Sequence, residues 1–374
     1  MPLDSIVFRC DASVATGTGH VMRCIALAQA VQDAGAGAVF AMAESTAGVR
    51  ARLAAESCEL VSVACVAGSG DDSRETVALA RERAIGWIVV DGYQFGADFQ
   101  RALETAGCKV LFIDDYGHAS HYWADLVLNQ NTFAQENLYG AREPYTRLLL
   151  GNEFCLLRRE FVSWRGWKRE TPPVAKKLLV TMGGSDPENF TATAINALRH
   201  LDKDVEATVV VGGSNPHFES LQRLTLQCGS RFRLVNSVSN MPELMAQADL
   251  AISAAGSTCW EMCFLQLPMV LIDLADNQKA IARALEASGA AIYLGSYRGN
   301  ARAVTEGEIT ARVTSILESK TERSALSERC GKLVDGRGAE RVFSELELGE
   351  SKLGEAKLGE PGLDEPGLGQ QKRR

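Results

Sequence analysis

Short apolar runs alternate with helix-patterned segments along most of the chain, and this alternation constrains the fold more than any other feature. Residues 249–278 show it most clearly. The apolar run 250–252 leads into a turn of small residues, and apolar side chains then recur at helical spacing from Trp260 onward. Pro268 ends the helical pattern, and a second apolar run begins at Met269. Strand, helix and strand in this order form the unit from which parallel sheets are built.

The alternation runs through two stretches of the 374-residue chain, which is long enough for two domains. It predicts an α/β protein with doubly wound parallel sheets, in which ligands meet the carboxyl ends of the strands. The last strand predicted in the first stretch is 126–128. The predicted units are an N-terminal domain at 1–150, an interdomain connection at 151–173, a C-terminal domain at 174–335 and a helix at 336–347 that crosses back to the first domain.

The end of the chain has a different character. From Leu348 the sequence repeats every five residues, as LGESK, LGEAK, LGEPG, LDEPG and LGQQK. This period matches neither a helix nor a strand, and the glycines and prolines oppose both. The pattern predicts a disordered tail at 348–374 with no part in the chemistry.

Composition excludes several classes of function. The net charge is −8 and the pI is about 5.4, without a basic stripe, so no nucleic acid is expected as a partner. No run is long enough to cross a bilayer and no signal peptide is recognisable, so no membrane insertion is expected. The ten cysteines lack CxxC spacing and fit reduced thiols in a cytoplasmic protein. Cys259 and Cys263 lie within an apolar helix and are interpreted as packing residues.

The first glycine loop, Gly17-Thr18-Gly19-His20, lies between a predicted strand and a predicted helix. It is not a dinucleotide fingerprint, and it lacks the lysine of a P-loop. The dipole at a helix start disfavours a charged imidazole, and a neutral imidazole can accept a proton. His20 is therefore a candidate general base, with Gly17 and Gly19 keeping the approach open for substrate. The alternative is a histidine that caps the helix or packs in the core.

A second glycine loop occupies the equivalent place in the second half of the chain. Backbone amides at Gly184 and Ser185 are candidates for binding a diphosphate. Asp186 either belongs to that site or caps the helix that would begin at Pro187.

The turn at 255–258 is the third candidate loop. Gly256 allows the backbone to approach a ligand, and Ser257 or Thr258 is expected to cap a helix whose first amides favour a phosphate. Glu261 lies one turn further on, where its carboxylate could accept both hydroxyls of a ribose. The alternative is an ordinary tight turn followed by a solvated glutamate.

Four motifs in order, GTGHVMRC, MGGSDPEN, AAGSTCWE and LADNQ, resemble the UDP-2,4-diacetamido-2,4,6-trideoxy-β-L-altropyranose hydrolases of pseudaminic acid biosynthesis. These enzymes belong to the glycosyltransferase B (GT-B) superfamily, and the resemblance runs from about residue 6 to residue 343. It implies two Rossmann-like domains facing across a cleft. The nucleotide should lie mainly on the C-terminal domain, and the base on the N-terminal domain.

The resemblance also implies roles for individual residues. The family's catalytic histidine falls on His20, and its assisting tyrosine falls on Tyr93 in Asp91-Gly92-Tyr93. The ribose-binding glutamate falls on Glu261. The sugar-contacting asparagine falls on Asn277, and Gln278 beside it is expected to help hold the sugar.

The implied reaction is hydrolysis at the anomeric carbon, in which His20 deprotonates water, UDP leaves and 2,4-diacetamido-2,4,6-trideoxy-L-altrose is released. Neither a metal nor a cofactor is expected. Asp114 and Asp115 could form a metal pair, but adjacent side chains at a strand end usually diverge, so they are interpreted as a structural pair or as loop caps. The expected partners are the UDP-sugar and other sugar-pathway enzymes that receive the product for flagellin glycosylation. Two alternatives remain open: a UDP-sugar-dependent GT-B glycosyltransferase, and a non-catalytic UDP-sugar-binding protein.

Overall fold

A computed structural model describes residues 4–13, 16–202, 204–236, 238–297 and 304–358, with side chains described as far as residue 349. The first half of the chain builds a seven-stranded sheet in which every neighbouring pair of strands is parallel. Its strands are β1 (Ser5–Cys10), β2 (Gly37–Met42), β3 (Glu59–Ser62), β4 (Trp87–Asp91), β5 (Lys109–Ile113), β6 (Leu126–Asn129) and β7 (Arg147–Leu150). The helices between them are α1 (Gly19–Asp33), α2 (Ala47–Ala55), α3 (Gly70–Glu82) and α4 (Ala97–Thr105).

The short helix α5 (Arg159–Val162) lies in the connection, and a six-stranded parallel sheet follows. Its strands are β8 (Lys177–Thr181), β9 (Glu206–Val211), β10 (Phe232–Asn236), β11 (Leu250–Ala254), β12 (Met269–Asp273) and β13 (Ala291–Ser296). Its helices are α6 (Phe190–Leu198), α7 (Phe218–Gln227), α8 (Met241–Gln247), α9 (Thr258–Phe264), α10 (Asp276–Ala287), α11 (Glu306–Glu318) and α12 (Lys320–Cys330). The last helix of the chain is α13 (Gly338–Leu358).

Both sheets have apolar cores on their two faces. In β1, Ile6 and Phe8 pack into a cluster with α1, whereas Val7 points to the opposite face and packs with α3 and α4. The central strands β4 and β12 are buried along their whole length. Burial on both faces explains why these strands read as continuous apolar runs in the sequence rather than as alternating ones.

The strand orders are β3-β2-β1-β4-β5-β6-β7 and β10-β9-β8-β11-β12-β13. In each sheet the order reverses once, between β1 and β4 in the first domain and between β8 and β11 in the second. Ligands of doubly wound sheets bind beyond the carboxyl ends of the strands at such a switch point. The two doubly wound parallel sheets confirm the prediction of two Rossmann-like domains.

The structure adds one strand that sequence analysis missed. Residues 147–150 form β7 beside β6 at the edge of the first sheet, whereas 126–128 was predicted to be the last strand. The strand has only four residues and begins with the exposed Arg147, so it shows too little apolar pattern to be recognised.

The C-terminal helix returns to the first domain. Ala339, Val342 and Leu346 on α13 are buried in the same apolar cluster as α1. The helix then continues to Leu358, so the first two repeats are helical and the prediction of disorder from Leu348 is wrong for them. Six of their ten residues are Leu, Glu or Lys, which favour a helix, and the repeats extend an existing helix without a new nucleation step. Residues 359–374 lie outside the described part of the chain.

Two smaller expectations concern the cysteines and the membrane. All ten cysteines are free, and Cys259 and Cys263 lie buried in an apolar cluster, which confirms their interpretation as packing residues. Within the described ranges, no helix combines the length and the apolar character needed to cross a bilayer.

Candidate active site

The glycine loops of the two domains meet across the cleft. A Cβ atom added to Gly19 would lie 3.7 Å from Ser257 Oγ, and one added to Gly184 would lie only 2.9 Å from Thr18 Oγ1. A Cβ atom on Gly256 would lie 4.0 Å from Gln278 Nε2. The four sequence motifs are far apart along the chain, and the fold brings them to one place.

His20 lies in the first turn of α1, beyond the carboxyl end of β1. Its Nδ1 is 2.7 Å from Oδ1 of Asp91, the last residue of β4. A carboxylate only accepts hydrogen bonds, so Nδ1 carries the hydrogen and a neutral imidazole keeps its lone pair on Nε2. Arg23 Nη2 lies 3.3 Å from the same Nδ1, but an arginine N–H cannot donate to a protonated nitrogen. The contact with Asp91 thus orients His20 as an acceptor of protons at Nε2.

Arg23 links the two strand-end aspartates beneath His20. It lies three residues after His20, so both side chains project from one face of α1. Its Nε and Nη2 donate to the two oxygens of Asp91 at 2.6 and 2.7 Å, and its Nη1 donates to Asp115 Oδ1 at 2.7 Å. Arg23 and Asp91 are both buried. Because all three guanidinium nitrogens of Arg23 donate to carboxylates, the arginine and the two aspartates are held in fixed positions.

The protonation states of this buried group follow from its pairing. Burial by itself would raise the pKa of Asp91, but the positive charge of Arg23 and the contact with His20 outweigh it, and the pKa falls below the ordinary value. The pKa of Asp115 is likewise lowered, because Arg23 outweighs burial there. Both carboxylates therefore stay charged at neutral pH.

Tyr93 connects this group to the second domain. Its hydroxyl donates to Asp115 Oδ2 at 2.7 Å and accepts from Asn277 Nδ2 at 3.0 Å across the cleft. Its ring meets the His20 ring edge-on, with centroids 4.9 Å apart. Burial and the neighbouring Asp115 raise the pKa of Tyr93 far above its ordinary value, so its hydroxyl keeps its proton at neutral pH.

The adjacent aspartates after β5 diverge. Asp114 accepts hydrogen bonds from the backbone amides of residues 115, 116 and 117 at 2.6, 3.2 and 3.0 Å. The interpretation as a loop cap is confirmed for Asp114. Asp115 instead points toward Arg23 and Tyr93 and belongs to the site.

In the second glycine loop, Gly184 and Ser185 differ from Asp186 in their surroundings. Gly184 and Ser185 lie at the cleft and are partly exposed. Asp186 is buried, and its carboxylate accepts from the amides of Phe190 and Thr191, both at 2.9 Å. This is the capping alternative, although α6 begins at Phe190 and not at Pro187 as predicted, because Asp186 and Asn189 adopt left-handed backbone conformations.

The third loop lies at the carboxyl end of β11. Gly256, Ser257 and Thr258 are partly exposed, and Ser257 is the residue that precedes α9 without a side-chain capping bond. Glu261, one turn into α9, is largely buried, and its Oε1 accepts from Arg158 Nη2 at 2.7 Å. Burial raises the pKa of Glu261, with Arg158 opposing the shift. Glu261 is thus a paired carboxylate and not the solvated one of the alternative interpretation.

The last motif lies at the start of α10. Asn277 is exposed apart from its contact with Tyr93, so its side chain is accessible from the cleft. Gln278 uses Oε1 to accept from the amide of Leu274 at 2.9 Å, and its Nε2 is directed toward Gly256.

Sequence reasoning missed four charged residues of the site: Arg23, Asp91, Asp115 and Arg158. Two signals were present. Arg23 lies one helical turn after His20. Asp91 and Asp115 lie at the carboxyl ends of two buried parallel strands, which meet at the same edge of the sheet. Arg158 lies in the irregular connection and gave no such signal.

The chain is similar to several known proteins in sequence and in fold. Residues 178–329 match the model of the glycosyltransferase family 28 C-terminal domain. An uncharacterized protein of Methanocaldococcus jannaschii is 26% identical over 275 residues, a match that covers 70% of this chain and 54% of that protein. The chain therefore spans about half the length of that relative.

A second relative is similar over nearly its whole length. The UDP-2,4-diacetamido-2,4,6-trideoxy-β-L-altropyranose hydrolase of Campylobacter jejuni is 25% identical over 288 residues, covering 76% of this chain and 97% of the relative. Among solved structures, MurG of Acinetobacter baumannii superimposes with a TM-score of 0.62 at 16% identity, over 92% of this chain and 99% of that one. The chain has the two-domain fold of the GT-B glycosyltransferases, and its second domain is similar to the C-terminal domain of glycosyltransferase family 28.

Proposed function

We propose that this protein is an enzyme that hydrolyses a UDP-linked sugar at its anomeric carbon. The observation that carries the proposal is the hydrogen bond from His20 Nδ1 to the buried Asp91, at 2.7 Å, at the switch point that faces the nucleotide loops. It leaves the lone pair of a neutral imidazole on Nε2, the state in which a histidine can act as a general base. A histidine that only capped α1 would not need a buried carboxylate behind it.

In the proposed reaction, His20 Nε2 takes a proton from water as the water oxygen attacks C1 of the sugar. The C1–O bond breaks, and UDP leaves with the bonding electrons. Backbone amides in the loops at Gly184, Ser185 and Gly256 to Thr258 stabilise the charge of the diphosphate. Asp91 stabilises the imidazolium that forms, because it stays negatively charged within hydrogen-bond distance.

The remaining side chains hold the substrate. Glu261 accepts the ribose hydroxyls, while Asn277 and Gln278 hold the polar substituents of the sugar. Tyr93 fixes Asn277 against the first domain through the 3.0 Å hydrogen bond and so orients the sugar above His20. No step of this proposed reaction requires a metal ion or a cofactor.

The proposed substrate is UDP-2,4-diacetamido-2,4,6-trideoxy-β-L-altropyranose, and the proposed product passes to later enzymes of pseudaminic acid biosynthesis in the cytoplasm. Two observations support this choice: the four motifs in order, and the similarity to the Campylobacter jejuni hydrolase over 97% of its length.

Glycosyl transfer is the second candidate, because residues 178–329 match a glycosyltransferase domain. In that reaction a sugar hydroxyl replaces water, and the same histidine serves as the base. The chemistry of the leaving group is identical, so the acceptor alone distinguishes the two candidates.

One assay separates these candidates. The protein is incubated with UDP-diacetamido-trideoxyaltrose, and with other UDP-sugars, in buffer without any acceptor, and free UDP is measured over time. Multiple turnovers in buffer alone support the hydrolase. Release of UDP only after an acceptor sugar is added indicates a transferase, and UDP-sugar binding without release indicates a binding protein.

A further inference from the structure

Glu261 does not stand alone at the nucleotide side of the cleft. Its Oε1 accepts from Arg158 Nη2 at 2.7 Å, and both side chains are about 15% exposed. Arg158 belongs to the connection between the domains, immediately before α5. A buried carboxylate in contact with one arginine nitrogen keeps its other oxygen and several lone pairs for further donors.

Arg158 is itself held on two sides. Its Nη1 lies 3.0 Å from Glu160 Oε1, and its guanidinium carbon lies 5.2 Å from the centre of the Phe161 ring. Glu160 in turn accepts from Arg52 Nη2 on α2 of the first domain, at 2.9 and 3.0 Å. A continuous chain of charges thus runs from the first domain through the connection to Glu261.

We infer that Arg158 is a positioning residue for nucleotide recognition, which holds Glu261 charged and oriented to accept the 2′- and 3′-hydroxyls of the ribose. This inference rests on the proposed function, since it assigns the ribose to Glu261. Without Arg158, the buried carboxylate would be free to rotate, and burial would favour its protonated form, which is a poorer acceptor. Fixing the side chain before the ligand arrives reduces the entropy lost on binding.

The inference predicts a specific loss and not a general one. Arg158 should matter for ligands that carry the ribose 2′-hydroxyl and much less for ligands that lack it. A purely structural arginine at the domain interface would weaken both kinds of ligand equally, or destabilise the protein without changing the ratio between them.

The experiment compares UDP with 2′-deoxy-UDP by calorimetric titration of the full chain. The wild type should bind UDP more tightly than 2′-deoxy-UDP by about tenfold, as expected for one hydrogen bond to a charged group. In Arg158→Met, which keeps much of the side-chain length over Phe161, this ratio should fall toward one. Arg158→Lys should restore part of it, because an ammonium can contact Glu261 but cannot fork between Glu261 and Glu160.

Arg159→Met is the matched control. Arg159 is the adjacent residue, is half exposed and pairs with Asp33 at 2.8 Å, away from Glu261, so its removal should leave the ratio at the wild-type value. In a Glu261→Ala background, Arg158→Met should change the ratio no further. If Arg158→Met does not fold, the ratio measured for Arg158→Lys decides.

Three results would overturn the inference. The first is an unchanged ratio in Arg158→Met, and the second is an equal loss for both ligands. The third is tighter UDP binding in the variant, which would make Arg158 a competitor of the ribose. A wild-type protein that binds no UDP would instead overturn the proposed function and the inference together, so the two failures are distinguishable.

Discussion

The two switch points have the same topology but opposite chemical character. At the switch point between β1 and β4, the first domain places His20, Arg23 and Asp91, with Asp115 contributed from the end of the neighbouring β5. These side chains are largely buried and are joined by hydrogen bonds of 2.6 to 2.7 Å. Between β8 and β11, the second domain places small, partly exposed residues, such as Gly184, Ser185, Gly256 and Ser257. Their proposed contribution is mainly through backbone amides.

We relate this difference to the two tasks of the proposed reaction, which are proton transfer and binding of the diphosphate. Moving a proton requires a side chain of defined tautomer, and a buried charged network provides it at the cost of desolvating each group. Binding a diphosphate requires close approach of backbone amides, and small residues permit it. We therefore expect changes at the first switch point to act on turnover, and changes at the second to act on UDP affinity.

The largest effect is expected for Asp91→Asn, which removes a carboxylate at the first switch point. An amide at this position leaves Arg23 with one carboxylate and no longer fixes the hydrogen on Nδ1 of His20. Turnover should fall by roughly two to four orders of magnitude. The free energy of unfolding should fall by about 3 kcal/mol, because a buried ion pair is broken on one side.

Steady-state turnover and urea unfolding would measure these two losses. Asp71→Asn is the control, since Asp71 is exposed and forms an ion pair with the exposed Arg74 on the same helix. Near-normal turnover of Asp91→Asn would show that His20 does not depend on this carboxylate.

The next largest effect should come from Glu261→Ala at the second switch point. Loss of the acceptor for the ribose hydroxyls should weaken UDP binding by roughly 1.5–3 kcal/mol. Turnover at saturating substrate should change far less than UDP affinity. Calorimetric titration with UDP measures the loss, with Glu243→Ala on the exposed side of α8 as the control. Unchanged affinity would return Glu261 to the role of a charge at the start of a helix.

A smaller effect on turnover is expected from a change at Tyr93, which contacts Asn277 of the second domain. Tyr93→Phe removes the donor to Asp115 and the acceptor for Asn277, and keeps the ring against His20. Turnover should fall by about tenfold, which corresponds to roughly 1.4 kcal/mol in the barrier. A loss as large as that of a His20 variant would show that Tyr93 takes part in proton transfer.

The smallest effect should follow from shortening the chain outside both regions. A chain that ends at Gly349 keeps Ala339, Val342 and Leu346, the residues through which α13 packs on the first domain. Turnover and UDP affinity should match the full chain, and the free energy of unfolding should change by less than about 0.5 kcal/mol. A larger loss of stability would show that the repeats contribute to folding.

The sequence predicted the fold well because its signals are local. Buried parallel strands are apolar along their length, and each glycine loop marks the end of a strand. Both features can be recognised within ten residues or so of chain, as the segment around Trp260 shows. The edge strand at Arg147 and the helical repeats after Leu348 were missed because their stability depends on neighbours that the local pattern does not reveal.

The site was predicted only in part for the same reason. His20, Glu261 and the glycine loops lie in recognisable motifs, and the fold brings the glycine loops together across the cleft. The pairing of His20 with Asp91, and of Glu261 with Arg158, joins residues that are far apart along the chain. No local spacing encodes such contacts, although two aspartates at neighbouring strand ends are a signal that could be used.

The central claim is that the first domain supplies the base and the second supplies the nucleotide site. His20→Asn tests it most directly, because asparagine keeps a polar group of similar reach but cannot accept the proton. Turnover of the UDP-sugar and affinity for UDP are measured on the same variant. The account predicts that turnover falls by roughly two to four orders of magnitude while UDP affinity stays near the wild-type value. Near-normal turnover, or a collapse of turnover and affinity together, would contradict it.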